Sequence, residues 1–169
     1  MKHVMSCLTA VIVLTASVTW AQSGQRDPFD GTWRLNVARS TATWQAHPQP
    51  KVVTPQPQSF ELVTMKVTND TMEYSAEYAR GNEQHKKASY TAKYNDAKWQ
   101  DLRGAADAAF SSLTLVKGTD RILYWVTRGK DGQFAGVILH KMAEDGKAFV
   151  TVGLGSDGYV QYVRVFEKQ

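Results

Sequence analysis

Between residues 59 and 167 the chain repeatedly alternates apolar with polar side chains, in runs separated by short turns. A period of two sends successive side chains to opposite faces of a β-strand, so each run reads as a strand with one buried face. Met72, Tyr74, Ala76 and Tyr78 alternate with Glu73, Ser75 and Glu77, and Ala88, Tyr90, Ala92 and Tyr94 alternate with Lys87, Ser89, Thr91 and Lys93. The turns fall at Asn69-Asp70, Arg80-Gly81-Asn82-Glu83, Gly118-Thr119-Asp120, Gly129-Lys130-Asp131-Gly132, Glu144-Asp145-Gly146 and Ser156-Asp157-Gly158. Asp-Gly recurs in three of them, and glycine there supplies the positive φ that tight hairpins need. No segment has the length or periodicity of a helix able to cover an open sheet, so closure is the simplest way to hide the edges. The fold predicted is all-β, a closed antiparallel up-and-down barrel of about 8–10 strands.

The opening strand follows Pro28-Phe29-Asp30, with Gly31 for close backbone approach and Trp33, Leu35 and Val37 on one face. The closing strand ends Val163-Arg164-Val165-Phe166-Glu167-Lys168, and these two are expected to pair and seal the barrel. Between the first strand and Ser59, a short helical turn is expected near residues 38–45. Pro48, Pro50, Pro55 and Pro57 then favour an extended strap over residues 46–58. The alanine-rich piece 104–109 has room for one helical turn. Glu73 and Glu77 are expected near Lys87 and Lys93 across a hairpin, each exposed pair contributing about 0.2–1 kcal/mol.

The amino end has the three parts of an export signal: Lys2, an apolar stretch from Cys7 to Val18, and small residues at Thr19 and Ala21. The expected division is 1–21 signal peptide, 22–28 flexible leader and 29–169 barrel domain. Cleavage would remove the single cysteine, Cys7, and with it any disulfide or thiolate chemistry. A periplasmic or secreted monomer is expected, with no integral membrane segment after cleavage. The formal charge of +4 is not gathered into a basic stripe, which argues against a nucleic-acid partner.

Gly31-Thr32-Trp33-Arg34-Leu35 resembles the opening strand of the calycin superfamily, the lipocalins and fatty-acid-binding proteins. Arg164-Val165-Phe166-Glu167-Lys168 resembles the closing strand of the fatty-acid-binding branch. Together with Leu35-Asn36, Ser40, the proline-rich crossing, Tyr90-Thr91-Ala92-Lys93-Tyr94 and the ending Phe166-Glu167-Lys168-Gln169, the chain is similar to exported bacterial lipocalin-like proteins. The resemblance implies a barrel with a cavity for a small, largely apolar molecule. It also departs from the pattern: Arg121 follows Thr119-Asp120 where the lipocalin signature has tyrosine. Phe166 takes the tyrosine position of the fatty-acid-binding Arg-x-Tyr, so a two-point carboxylate clamp is reduced to one point. The prolines at 48–57 leave little room for a two-helix lid.

Among individual residues, Trp33 is expected to plug the closed end of the barrel. Arg164 shares a strand face with Tyr162 and Phe166; if that face points inward, a guanidinium there needs a partner. Two are open: a ligand carboxylate or other anion, or a cation–π stack over Trp33. Tyr74, Tyr78, Tyr90, Tyr94 and Trp125 would line an aromatic wall that either surrounds a ligand or fills a solid core. Ala76, Ala88, Ala92 and Gly136 opposite them favour an interior with space. His47, His85 and His140 lack the spacing of a metal site, and no metal or other cofactor is expected. His140 is the one weak catalytic candidate, with Tyr162 or Glu73 as conceivable partners, against the plainer role of a hydrogen-bonded core histidine. Asn69-Asp70-Thr71 matches a glycosylation sequon.

Three functions follow from these residues. The leading one is an exported protein that binds a hydrophobic or amphipathic, and conceivably anionic, small molecule in the barrel. The second is a barrel enzyme, an isomerase, cyclase or hydrolase, that uses a cavity histidine or tyrosine for proton transfer. The third is a filled barrel acting through its surface as an envelope interaction module.

Overall fold

The computed structural model describes residues 26–40, 58–104 and 110–169. The expected signal peptide, most of the expected leader and strap, and the alanine-rich piece after Gly104 lie outside the described residues. Ten strands run β1 (Gly31–Leu35), β2 (Gln58–Thr68), β3 (Thr71–Arg80), β4 (Lys86–Lys93), β5 (Gln100–Asp101), β6 (Ser112–Thr119), β7 (Ile122–Arg128), β8 (Phe134–Met142), β9 (Ala148–Gly155) and β10 (Val160–Lys168). Their order in the sheet is β4-β3-β2-β1-β10-β9-β8-β7-β6-β5, every pairing antiparallel. Apart from β4 and β5, which lie at the two ends of that order, chain neighbours are sheet neighbours, and β1 beside β10 makes the junction expected of an up-and-down barrel. Trp33 lies opposite Lys168, and Leu35 opposite Phe166.

The ring is nearly closed at the β4–β5 seam, where strand pairing gives way to single bridges. Ser89 and Arg103 exchange backbone hydrogen bonds of 3.0 and 2.9 Å, and the Asn95 amide donates to the Leu115 carbonyl at 2.8 Å. Such an arrangement is compatible with a calycin-like fold. Among the described residues no helix is long and apolar enough to cross a membrane. The only helical piece described near the first strand is a 3₁₀ turn at Val37–Arg39, capped by the Asn36 side chain, which accepts from the Arg39 amide.

The turns carry the chemistry that their residues suggest. Gly132, Gly146 and Gly158 all have positive φ. In each, the preceding aspartate accepts a hydrogen bond from a backbone amide two residues on, Asp131 from Gln133, Asp145 from Lys147 and Asp157 from Tyr159, at 2.9–3.0 Å. Those side chains hold the turn by mimicking a backbone bond. At Gly31 (φ +143°) an added Cβ would come within 3.1 Å of the Lys168 side chain of β10.

The cross-strand charges differ from expectation. Glu77 does lie opposite Lys87, but Glu73 lies opposite Thr91, and Lys93 opposite Thr71. The contacts made are Glu77 with His85 at 2.6 Å and Lys93 with Asp70 at 3.2 Å. In both contacts the partner, His85 or Asp70, stands just outside the strands.

The size of the inward side chains divides the interior into two unlike halves. At the end where β1 begins, Phe29, Trp33, Met65, Met72, Leu115, Leu123 and Phe149 are almost completely buried and fill the interior. Trp33 donates its indole N–H to the Phe29 carbonyl at 3.0 Å and packs edge-on against Phe149, centroids 5.1 Å apart. Asp27 ties the approach to this end. Its side chain accepts from the Phe29 amide at 2.9 Å and pairs with Lys117 at 2.8 Å.

Candidate functional site

The opposite half contains a cavity of about 170 Å³, lined from β2, β3, β4, β7, β8, β9 and β10. Its apolar wall is Tyr74, Ala76, Tyr78, Ala88, Trp125 and Ile138, with Leu102 and Phe110 beside the seam. Space exists here because the inward positions carry alanine and glycine where the packed half carries Met65, Met72 and Phe149. Gly153 is used in a further way. A Cβ there would overlap the ring of Tyr162, so the glycine lets that ring lie flat against β9. A smaller pocket of about 30 Å³ lies deeper. It shares Glu61, Tyr74, Trp125, Ile138, Tyr162 and Arg164 with the first and adds His140, Phe149, Thr151 and Phe166.

Arg164 faces inward at this end, and the side chain paired with it is Glu61 and not the ring of Trp33. The guanidinium donates from Nη1 to Glu61 Oε2 at 3.2 Å and lies over the Tyr162 ring at 4.1 Å. The cation over Trp33 is instead Lys168, whose Nζ is 5.1 Å from the ring centroid. Register explains the exchange. β1 pairs with β10 only as far as Leu35–Phe166, and with β2 only as far as Arg34–Leu62. Beyond those pairs Glu61 and Arg164 meet directly, whereas Lys168 sits opposite Trp33 itself. Glu61 escaped the sequence reading, although its signal was present: it shares the inward parity of Val63 and Met65 on β2, a carboxylate on an otherwise apolar face.

Burial governs the electrostatics. Glu61 is 6% exposed, and loss of solvent raises its pKa despite the opposing pull of Arg164 and Arg80. Tyr74 and Tyr162 are also pushed up, chiefly by burial, so both phenols stay neutral. His140 is pushed down to about 3, first by burial and then by Arg164. Its Nδ1 is 2.9 Å from the Thr151 hydroxyl, and its ring lies 4.4 Å from Trp125. The site therefore presents the Glu61–Arg164 contact beside an imidazole and phenols that burial keeps neutral.

Three polar atoms of these pockets are buried without a hydrogen-bond partner among the described residues: Gln58 Oε1, Trp125 Nε1 and His140 Nε2. One is an obligate donor and one an obligate acceptor, and buried polar groups ordinarily have partners. Gln58 and Trp125 line the larger cavity and His140 the smaller pocket, so these unpartnered atoms lie buried within a mainly aromatic wall.

The sequence-predicted wall is divided by depth. Tyr74, Tyr78, Trp125, Tyr162 and Arg164 line the larger cavity, while Phe166 reaches only the smaller pocket and stacks on Phe149 at 4.8 Å. Tyr90 stacks on Tyr74 at 4.8 Å, and its hydroxyl contacts Met72 Sδ at 3.6 Å, so it supports the wall from behind. Tyr94 belongs to the packed end, under Lys117 at 5.2 Å, with its pKa raised by burial and by Asp27 and Asp30. Glu73, once a conceivable partner for His140, faces outward and is exposed. Of the small residues, Ala76 and Ala88 border the cavity and Ala92 does not; Ala92 lies in the buried cluster, to which Ala76 also belongs. No protein family, curated protein or solved structure matches the chain.

Proposed function

We propose that this chain is an exported small-molecule binding protein, lipocalin-like in build, that holds a compact amphipathic molecule at the hollow end of its barrel. The observation that carries the reading is the 170 Å³ cavity, bordered by the Glu61–Arg164 pair and by the unpartnered Trp125 Nε1 and Gln58 Oε1. An apolar cavity of about 150 Å³ is enough to hold one benzene, so there is room for a real ligand. Tyr74, Tyr78 and Trp125 give the apolar contact area, and Tyr162 and Gln58 supply uncharged polar contacts beside the Glu61–Arg164 pair.

Native mass spectrometry of the protein purified from its host, with displacement of an environment-sensitive dye, tests the binding. Co-purifying small molecule and dye binding at micromolar levels are expected; absence of both contradicts the proposal. Export is tested separately by sequencing the amino end of the exported protein. It should begin at Gln22 and run as a monomer on sizing, and a retained, full-length chain contradicts that part.

A second reading, proton-transfer catalysis in the same cavity, is favoured by the displaced pKa values of Glu61 and His140. Glu61 suits that role better. An imidazole held near 3 is a feeble base, and His140 borders only the 30 Å³ pocket. Turnover of a bound compound that is lost in Glu61→Gln would support it over simple binding.

A further inference from the structure

We infer that the Glu61–Arg164 pair makes the cavity select uncharged aromatic ligands of one ring or two fused rings, and reject small anions and cations alike. The inference rests on the cavity being a ligand site, and it names the class of ligand that the site takes. The wall that a ligand meets is formed by the rings of Tyr74, Trp125 and Tyr162, and the volume of about 170 Å³ matches one compact aromatic body.

Charge decides the rest. A lone inward arginine would attract a carboxylate, because its planar fork suits two oxygens. Here the fork already faces a carboxylate from its own chain, with Glu61 Oε2 at 3.2 Å and only 8% of the Glu61 side chain exposed. An incoming anion must either approach that carboxylate in a poorly solvated site or draw Arg164 away from it, leaving Glu61 buried and unpaired. An incoming cation meets the same obstacle from Arg164. The remaining charged residue of the lining, Arg80, also acts on Glu61 and is not free. What a ligand can bond are the uncharged polar groups of the lining, among them the Tyr74 and Tyr162 phenols, Gln58, Gln161 and Trp125. Those groups suit a neutral molecule able both to give and to accept a hydrogen bond, such as a phenol or a nitrogen heterocycle.

The test is titration of the mature protein at neutral pH with indole, benzoate and benzylammonium, which are similar in size and differ in charge. Wild type should prefer indole by at least about tenfold over either ion. Glu61→Gln keeps an oxygen that can accept from Arg164 but removes the negative charge, and should gain about tenfold for benzoate. Arg164→Met should gain about tenfold for benzylammonium instead. Should one variant fail to fold, the other tests the pair, and the wild-type comparison needs neither. Wild type binding benzoate or benzylammonium as tightly as indole overturns the selection rule but leaves the cavity as a binding site. A folded variant with the wild-type preference also overturns the rule. Binding of none of the three probes, by wild type or by either variant, overturns the cavity reading itself.

Discussion

Ala88 and Ala92 stand four residues apart on the same buried face of β4, yet Ala88 borders a cavity and Ala92 lies in a packed cluster. The strands that carry them are continuous, and the alternation does not change between the two sites. The difference lies in what the other strands aim at each level. Around Ala92 they present Met65, Met72, Leu115 and Leu123; around Ala88 they present Ala76, Gly153 and the Tyr162 ring that lies against that glycine. A barrel can therefore be a solid core at one end and a container at the other, with side-chain volume alone setting the boundary.

The largest effect that would break this contrast is expected at the packed end. Trp33→Ala removes a completely buried ring that packs on Phe149 and bonds to the Phe29 carbonyl. It should cost about 3–5 kcal/mol in chemical denaturation. A loss below about 1 kcal/mol, within the range of an ordinary surface change, would mean that this end is not close-packed.

The alanine pair sharpens the comparison. Ala92→Leu should overpack and cost about 1–3 kcal/mol, whereas Ala88→Leu should cost less and abolish dye binding. Equal destabilisation by the two would erase the distinction between the halves.

Acid titration probes the boundary layer. His140 is held at about 3 in the folded chain against an ordinary 6.5, so the unfolded chain takes up that proton first. Its contribution is fully present above pH 6.5 and is lost as pH falls towards 3, with a slope of up to about 1.4 kcal/mol per pH unit. Glu61 acts in the opposite sense. Its pKa is raised, so its contribution is greatest below its ordinary 4.5 and declines as pH rises through the folded value. His140→Gln should flatten the acid limb of a stability–pH curve, and an unchanged limb would place the acid sensitivity elsewhere.

The smallest effect is at the rim of the packed end. Lys168→Met removes the ammonium lying 5.1 Å from the Trp33 ring, and should cost no more than about 1 kcal/mol because the lysine is exposed. A markedly larger loss would assign Lys168 a share of the closure between β1 and β10.

Much of the fold was legible in the residues themselves. A period of two identifies strands and their buried faces, and Asp-Gly marks the hairpin turns. The two together lead to a ring joined through Trp33 and Lys168 on its first and last strands. The same period says which face a residue occupies but not its depth along the barrel. That is why Tyr74 and Tyr94, equal in pattern, part company, one at the cavity and the other beside Lys117 at the packed end. It is also why Arg164 could be read as inward while its partner could not. Pairing across the end of a short strand depends on where β1 stops, and only the register records that. Glu61 was visible as a charge at an apolar position, a departure from pattern that marks a site more directly than the aromatic residues do.

The most direct test follows the alanine methyl signals of the mature protein by NMR during titration with indole. Saturable shifts at Ala76 and Ala88, with Ala92 unmoved, are the predicted result. Shifts spread evenly over all three methyls, or none at any concentration that indole reaches in water, would contradict a barrel hollow at one end only.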